Sequence, residues 1–270
     1  MKKTIKQTLC ILIVMMIMMG CKDKGVSTSK KDDSLEYIKE KGSFTIGLDD
    51  AFPPMGFRDE KGEIVGFDID VAKEVAEKLG VELILKSIDW DAKNMELNNK
   101  NIDAIWNGLS INEERKKEVN FSDVYLENRQ VLVVKKDSPI KKKSDLKGKI
   151  VGLQLSSTSE SALNADQETV STLKEVRKFA DNMAVFMDLE AERIDAAVID
   201  EVVARYYIGK KPDQFTILEE DFGKESYGVG FRKEDQTLVE EINTILKEFK
   251  KDGTLSRISE KWFGEDVVVQ

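Results

Sequence analysis

The strongest constraint on the fold of this chain is a rhythm of apolar patterns. Ser43–Leu48 reads as a strand and Phe67–Leu79 as an amphipathic helix. Residues 81–85 read as a second strand, 91–100 as a second helix and 102–106 as a third strand. In the first helix Ile69, Val71, Ala72, Val75, Ala76 and Leu79 recur at helical spacing, and Gly80 closes it. Strands that alternate with helices in this way form a mostly parallel sheet covered by the helices. A second series follows: a strand at 131–134, a short helical turn capped by Ser144, a strand at 149–153, a helix at 182–191 and a strand at 194–199. Near the C-terminus a strand at 229–231 precedes a helix lined by Leu238, Ile242, Ile245, Leu246 and Phe249, and a last short helix ends near Trp262.

The two series share an echo. Leu97-x3-Asn101-Ile102-Asp103-Ala104 recurs as Leu189-x3-Arg193-Ile194-Asp195-Ala196, 92 residues later. Each copy ends a helix and begins a buried strand. The expectation is two α/β lobes of like construction, each presenting polar strand ends to a shared crevice, because ligands of α/β sheets sit outside the carboxyl ends of the strands.

The chain opens with an address. Lys2, Lys3 and Lys6 precede the apolar residues 9–19, and Gly20-Cys21 closes the segment. Eleven apolar residues are too few to cross a hydrocarbon core of about 30 Å as a helix, and they fit the core of a secretory signal peptide. Cys21 after a small residue resembles a bacterial lipobox, with Met18 and Met19 upstream, and implies lipidation at Cys21. Residues 1–20 are thus expected to be removed. Residues 21–34 are polar, lack an apolar period and read as a lipidated flexible tether.

Composition excludes whole chemistries. There is no histidine, and the only cysteines are Cys10 and Cys21. A Ser-His-Asp triad, a Cys-His pair, a histidine or cysteine metal site and an intrachain disulfide in the mature protein are therefore ruled out, and no cofactor is expected. The formal charge of −9 becomes about −12 once the leader is removed. That balance argues against nucleic acid and against anionic lipid headgroups as partners. About 235 residues remain for the folded body, enough for a sizeable core.

The crevice is furnished by polar strand ends. The run Asn107-Gly108-Leu109-Ser110-Ile111-Asn112-Glu113-Glu114-Arg115 leaves the third strand with a glycine-containing turn, a hydroxyl and a guanidinium that matches a carboxylate. Asp49 ends the first strand; Phe52 and Trp90 supply aromatic walls or plain core. From the second series come Gln154-Leu155-Ser156-Ser157-Thr158, which leads toward a helix N-terminus that favours an anion, and Asp200, a ligand contact or helix cap. Anion receptors (Arg115, Ser110, the amides near Thr158) facing cation receptors (Asp200, Asp49) suit a zwitterion with an α-carboxylate and an α-ammonium group.

Taken together, Ile46-Gly47-x-Asp49, Gly66-Phe67-Asp68-Ile69-Asp70, Ile102-Asp103-Ala104-Ile105, Ser110-x4-Arg115 and Ile194-Asp195-Ala196-Ala197 before Asp200-Glu201 resemble the family 3 solute-binding proteins of polar amino-acid ABC importers. The resemblance runs from about Leu35 to Phe263. It implies an α/β, two-lobed, type II periplasmic-binding-protein-like fold with two hinge crossings, lobe 1 being 35–127 plus 226–270 and lobe 2 being 128–225. It implies that Arg115 clamps the α-carboxylate with Ser110 and Thr158, that Asp200 takes the α-ammonium, and that Asp49, Phe52 and Trp90 surround the side chain. Asn107, Gly108 and Ser157 would complete the shell. Several basic-amino-acid binders of this family have serines where Asn107 and Gly108 stand and tyrosine where Phe52 stands; Asn107 adds a donor and an acceptor, and Asp49 is compatible with a cationic side chain or with an amide or hydroxyl donor, so the expected ligand is a polar or basic L-amino acid. The implied partners are ABC permease and ATPase subunits and, through the lipid, a membrane; a monomer is expected. Two other classes stay open: a dehydratase-like enzyme acting on carboxylates, and a receptor lobe feeding a separate signalling partner.

Overall fold

A computed structural model describes residues 32–269; the expected signal segment, the expected lipidation site Cys21 and the expected tether through Lys31 lie outside the described residues. Helix α1 (Ser34–Lys41) leads into β1 (Ser43–Leu48), followed by β2 (Ala51–Phe52), β3 (Gly56–Arg58) and β4 (Ile64–Val65). Then come α2 (Phe67–Leu79), β5 (Glu82–Ser87), α3 (Lys93–Asn98), β6 (Ala104–Ile105), α4 (Arg115–Glu118), β7 (Asn120–Phe121) and the long β8 (Leu126–Lys135). The second half holds β9 (Ile150–Gln154), α5 (Thr158–Ala165), α6 (Gln167–Val170), β10 (Glu175–Phe179), α7 (Asn182–Glu190) and β11 (Ala196–Asp200). After α8 (Glu201–Lys210) and β12 (Phe215–Tyr227), the chain ends in β13 (Gly230–Phe231), α9 (Gln236–Lys251) and α10 (Thr254–Phe263).

Two five-stranded sheets result, ordered β5-β1-β6-β13-β7 and β10-β9-β11-β8-β12. In each, the first, second, third and fifth strands run the same way, and the fourth (β13 in one sheet, β8 in the other) runs against them. The sheets are thus mixed, and mostly parallel in strand direction as expected. In the second sheet β8 enters directly from the first sheet with no crossover helix to turn it parallel, whereas β12 follows β11 through α8 and runs the same way as β11. The chain leaves the first sheet at β7, enters the second through β8, and returns from β12 to β13 through Gly228 and Val229.

The sequence echo proves to be one device built twice. Asp103 Oδ2 accepts the Thr45 N–H at 2.7 Å, and Asp195 Oδ2 accepts the Ile150 N–H at 2.8 Å. Lys41 pairs with Asp103 at 2.6 Å and Lys149 with Asp195 at 3.5 Å. Ile102 and Ile194 press their Cδ1 atoms onto Gly47 and Gly152, where any Cβ would sit far inside van der Waals contact. Each aspartate thus ties the start of a buried strand to its neighbour, while the isoleucine fills the space a missing side chain leaves.

The largest apolar cluster joins both lobes, from Phe44, Ile46 and Leu48 through Tyr125 and Leu126 to Val131, Val133 and Phe186. Helix α9 buries Leu238, Val239, Ile242, Ile245, Leu246 and Phe249 on its expected face, each worth roughly 1.5–3 kcal/mol against exposure. The body begins before the end of the expected tether: Asp32 Oδ2 accepts the Thr237 N–H at 2.5 Å, and buried Ser34 meets the Thr237 hydroxyl at 3.0 Å.

Candidate functional site

The carboxyl ends of β1, β6, β9 and β11 and the strands β8 and β12 converge on one crevice. In the first lobe, Asp49 is buried one residue beyond β1. Its Oδ1 accepts the Ala51 N–H at 2.9 Å, which shapes the turn into Phe52. Asn107 Oδ1 accepts the Asp49 N–H at 3.2 Å, so Asn107 braces this turn. Gly108 adopts φ +54°, and its N–H donates to Asp68 Oδ2 at 2.6 Å. A Cβ there would lie 2.9 Å from Phe52 Cε1 and 3.1 Å from Tyr227 Cε2, so the two rings close directly over the backbone. Ser110 is buried, and its carbonyl accepts Arg115 Nη1 at 3.0 Å. Asn112 Oδ1 caps the Arg115 N–H at 2.8 Å. The planar fork of Arg115 is thus aimed along the Ser110 turn.

The second lobe answers across the crevice. Ser110 Oγ meets Thr158 Oγ1 at 3.0 Å, Gln154 Nε2 donates to Asp49 Oδ2 at 2.7 Å, and Lys93 Nζ donates to the Ser156 carbonyl at 3.3 Å. Ser157 caps α5: its Oγ accepts the Glu160 N–H at 3.2 Å and donates to the Gln154 carbonyl at 2.7 Å. Its hydroxyl therefore shapes the helix N-terminus, and Thr158 carries the hydroxyl that reaches Ser110. Asp200 stands at the N-cap position of α8 without capping it. Its Oδ1 accepts Asn128 Nδ2 (2.8 Å), Gln130 Nε2 (3.0 Å) and Tyr227 OH (2.6 Å). The Val202 N–H turns instead to Asn128 Oδ1, at 3.4 Å.

Trp90 serves two ends. One side packs with Leu97, Ile102, Ile105, Leu109 and Val119; the other joins Asp49, Ala51, Leu155 and Asp181 around a cleft of about 370 Å³. A second cleft of about 670 Å³ is lined by Lys93, Asn112, Arg115, Ser156, Ser157 and Glu160. Both volumes fall in the range of small-molecule sites.

Electrostatics mark the same place. Burial pushes Asp49 up to about 6, against the bonds from Ala51 and Gln154. Burial and then the neighbouring Glu225 hold Asp200 well above the usual carboxylate range. Burial lowers Arg115 while Glu225 and Asp200 counter it, and burial with nearby Arg115 brings Lys93 down to about 8. Perturbed groups of both signs clustered in a cleft are what a charged-ligand site requires.

Of the residues expected from sequence, Asp49, Phe52, Gly108, Ser110, Arg115, Thr158 and Asp200 gather around the crevice, and Asn107 and Ser157 support it from behind. Sequence reasoning missed Lys93, Asn128, Gln130, Gln154 as a side-chain contact, Glu225 and Tyr227. One signal was available: the polar alternation Asn128-x-Gln130 ahead of the apolar 131–134 run marks one wet face on a strand.

Residues 44–265 match the family described as bacterial extracellular solute-binding proteins, family 3. The chain belongs to this family. It is 37% identical over 235 residues to the L-cystine-binding protein TcyJ of Escherichia coli, with 86% of this chain and 87% of that one aligned. Among solved structures, a substrate-binding protein of an ABC uptake transporter from Streptococcus pneumoniae with bound histidine superposes with a TM-score of 0.86 at 39% identity, covering 89% of this chain and 99% of that one. An ancestral arginine-binding protein bound to glutamine superposes with a TM-score of 0.77 at 45% identity, over 83% and 99% of the two chains. The family 3 fold seen here is accordingly the two-lobed, type II periplasmic-binding-protein-like one.

Proposed function

We propose that this protein is the extracytoplasmic amino-acid-binding component of an ABC importer, exported and anchored at Cys21, and that it holds a polar or basic L-amino acid between its lobes. The observation that carries this reading is the pairing of opposite receptors across one crevice. Arg115 and Ser110 on one wall, with Thr158 at the start of α5, receive the α-carboxylate. Asp200 receives the α-ammonium, held in place by Asn128, Gln130 and Tyr227. Phe52, Trp90 and Asp49 bound the space for the side chain, and Asp49 favours a cationic or hydrogen-bond-donating one. The relatives named for cystine, histidine and arginine support the amino-acid class.

Lobe 1 spans 35–127 with 226–270, lobe 2 spans 128–225, and β8 and β12 carry the two crossings. Ligand contacts from both walls exist together only when the lobes are closed, so the ligand shifts the population toward closure. The closed form is what permease and ATPase subunits read. The protein works as a monomer that returns its ligand unchanged, without cofactor.

A thermal-shift screen of protein stripped by unfolding and refolding tests this reading. The screen covers the common amino acids, cystine, ornithine and citrulline. A ligand at a hundredfold its Kd adds about 2.7 kcal/mol of stability. A clear rise in Tm with a small set of L-amino acids, recovered chemically intact, is the expected result. No shift with any of them would overturn it.

A further inference from the structure

The acidic group at the base of the crevice is a pair. Strands β11, β8 and β12 lie side by side, with Asp200 opposite Gln130 and Asn128 opposite Glu225. Alternate positions 128 and 130 of β8, and 225 and 227 of β12, share one face. Asn128 Nδ2 donates to Asp200 Oδ1 at 2.8 Å and to Glu225 Oε1 at 2.5 Å; Gln130 Nε2 donates to the same two oxygens at 3.0 and 2.8 Å. Ser159 Oγ donates to Gln130 Oε1 at 2.6 Å, which fixes the amide with its NH₂ toward the acids. Two carboxylate oxygens that share both amide nitrogens are close neighbours, and the groups that hold them are neutral. A like charge this near disfavours ionisation, and burial with the neighbouring Glu225 holds Asp200 well above the usual carboxylate range.

The groups that face the pair are few. Tyr227 comes from β12 and Arg115 from α4; β8 contributes only the two amides, and α5 the hydroxyls of Thr158 and Ser159. Arg129, between the two amides, lies on the opposite face, where it pairs with Glu201 at 2.6 Å and Asp221 at 3.1 Å. Arg115 gives one N–H to the Ser110 carbonyl and is drawn by the charges of Glu225 and Asp200, while no cation hydrogen-bonds either carboxylate among the described residues.

Building on the amino-acid-binding reading above, we propose that Glu225 is a second acidic ligand-binding residue: with Asp200 it forms a dicarboxylate seat for the ligand's ammonium group, and the pair holds one proton that ammonium binding displaces to solvent. The charges balance. The pair passes from one negative charge to two as the O–H bond breaks and its proton goes to the buffer, and the ammonium N–H groups take over as donors between the oxygens. The raised pKa of Asp200 accords with this arrangement. Affinity therefore rises with pH across the range in which the pair gives up its proton.

Titration calorimetry in phosphate and in Tris, whose ionisation enthalpies differ, counts the protons released on binding. The probes are L-arginine, L-glutamine, L-histidine and L-cystine, each with the wild type and with Glu225→Gln. For any probe that binds, the wild type should release more protons than Glu225→Gln, which keeps only the part of the Asp200 shift due to burial, and bind at least about tenfold tighter near neutral pH. Protons contributed by Asp49 or by the probe itself are common to both proteins and cancel. Equal proton release by the two proteins would overturn the proposal, even with a large affinity loss, because a merely structural Glu225 would weaken binding without moving protons. Glu225→Leu, which likewise removes the acid, supplies the same comparison if the glutamine variant lacks native circular dichroism. Binding of none of the four probes to the wild type would overturn the underlying reading as well, a result distinct from binding without excess proton release.

Discussion

Asp68 lies wholly buried at the start of α2 and anchors the Gly108 turn, so its protonation bears on the whole protein. Burial pushes it up to about 7, against the bond from Gly108 and contacts with Tyr125 and Trp106. An aspartate in an unfolded chain titrates near about 3.9. The folded protein thus binds this proton more tightly than the unfolded chain. The resulting stability is fully present below the unfolded value and is lost as pH rises through about 7. Asp68→Asn removes the titration and keeps an oxygen to accept the Gly108 N–H. Urea unfolding should show the wild type losing stability relative to this variant between about pH 5 and 8, by on the order of 2–4 kcal/mol. Parallel curves would show that Asp68 is ionised throughout. The residue scale is also where the sequence was most ambiguous. Ser157 and Asp200 both carry cap-forming side chains, and composition does not say which caps. The structure assigns the cap to Ser157 and leaves Asp200 to the crevice, because Asn128 serves the α8 N–H instead.

At the scale of elements, the buried parts were legible and the wet parts were not. The expected strand at Ser43–Leu48 and helix at Phe67–Leu79 match residue for residue, since both are punctuated by glycine and patterned by burial. The expected helix at 91–100 shortens to α3 after a single 3₁₀ turn at Trp90–Ala92. The strand at 102–106 shortens to β6, although the Asp103 and Trp106 N–H groups still reach Thr45 and Gly47. The two hinge crossings implied one strand near 225, but the charged Glu219, Glu220, Asp221, Lys224 and Glu225 carry no apolar period that would mark the extent of β12. Only pairing with β8 makes it a strand, and only that register brings Glu225 beside Asp200. The repeated Gly–Ile device yields a prediction here. Gly152→Ala forces a methyl onto Ile194 and should cost about 1–3 kcal/mol. Adding Ile194→Val should restore part of that loss in a double-mutant cycle followed by chemical denaturation. Additive losses would mean that the two residues do not share the space.

At the scale of the whole molecule, side-chain contacts join the lobes. Among the described residues four side-chain hydrogen bonds join them: Ser110 to Thr158, Asp49 to Gln154, Lys93 to Ser156, and Tyr227 to Asp200. Gln154 is buried and also donates to the Ala180 carbonyl at 2.9 Å, so it fixes Asp49 to the second lobe. Gln154→Ala should bias the population toward separation of the lobes. The expected signature is a larger radius of gyration in solution scattering of the stripped protein, together with amino-acid affinity weaker by roughly three- to tenfold, the reduction that a smaller binding-competent fraction imposes. An unchanged radius with unchanged affinity would remove this bond from the closure equilibrium.

The central claim is that one amino acid is held at once by groups from both lobes. Titration calorimetry of the amino acid with the largest thermal shift tests it, on the wild type, on Arg115→Ala in the first lobe and on Asp200→Asn in the second. Loss of one partner of a buried charged contact costs about 2–5 kcal/mol, so each variant should bind at least about thirtyfold more weakly. Wild-type affinity in either variant would contradict a ligand shared between the two walls.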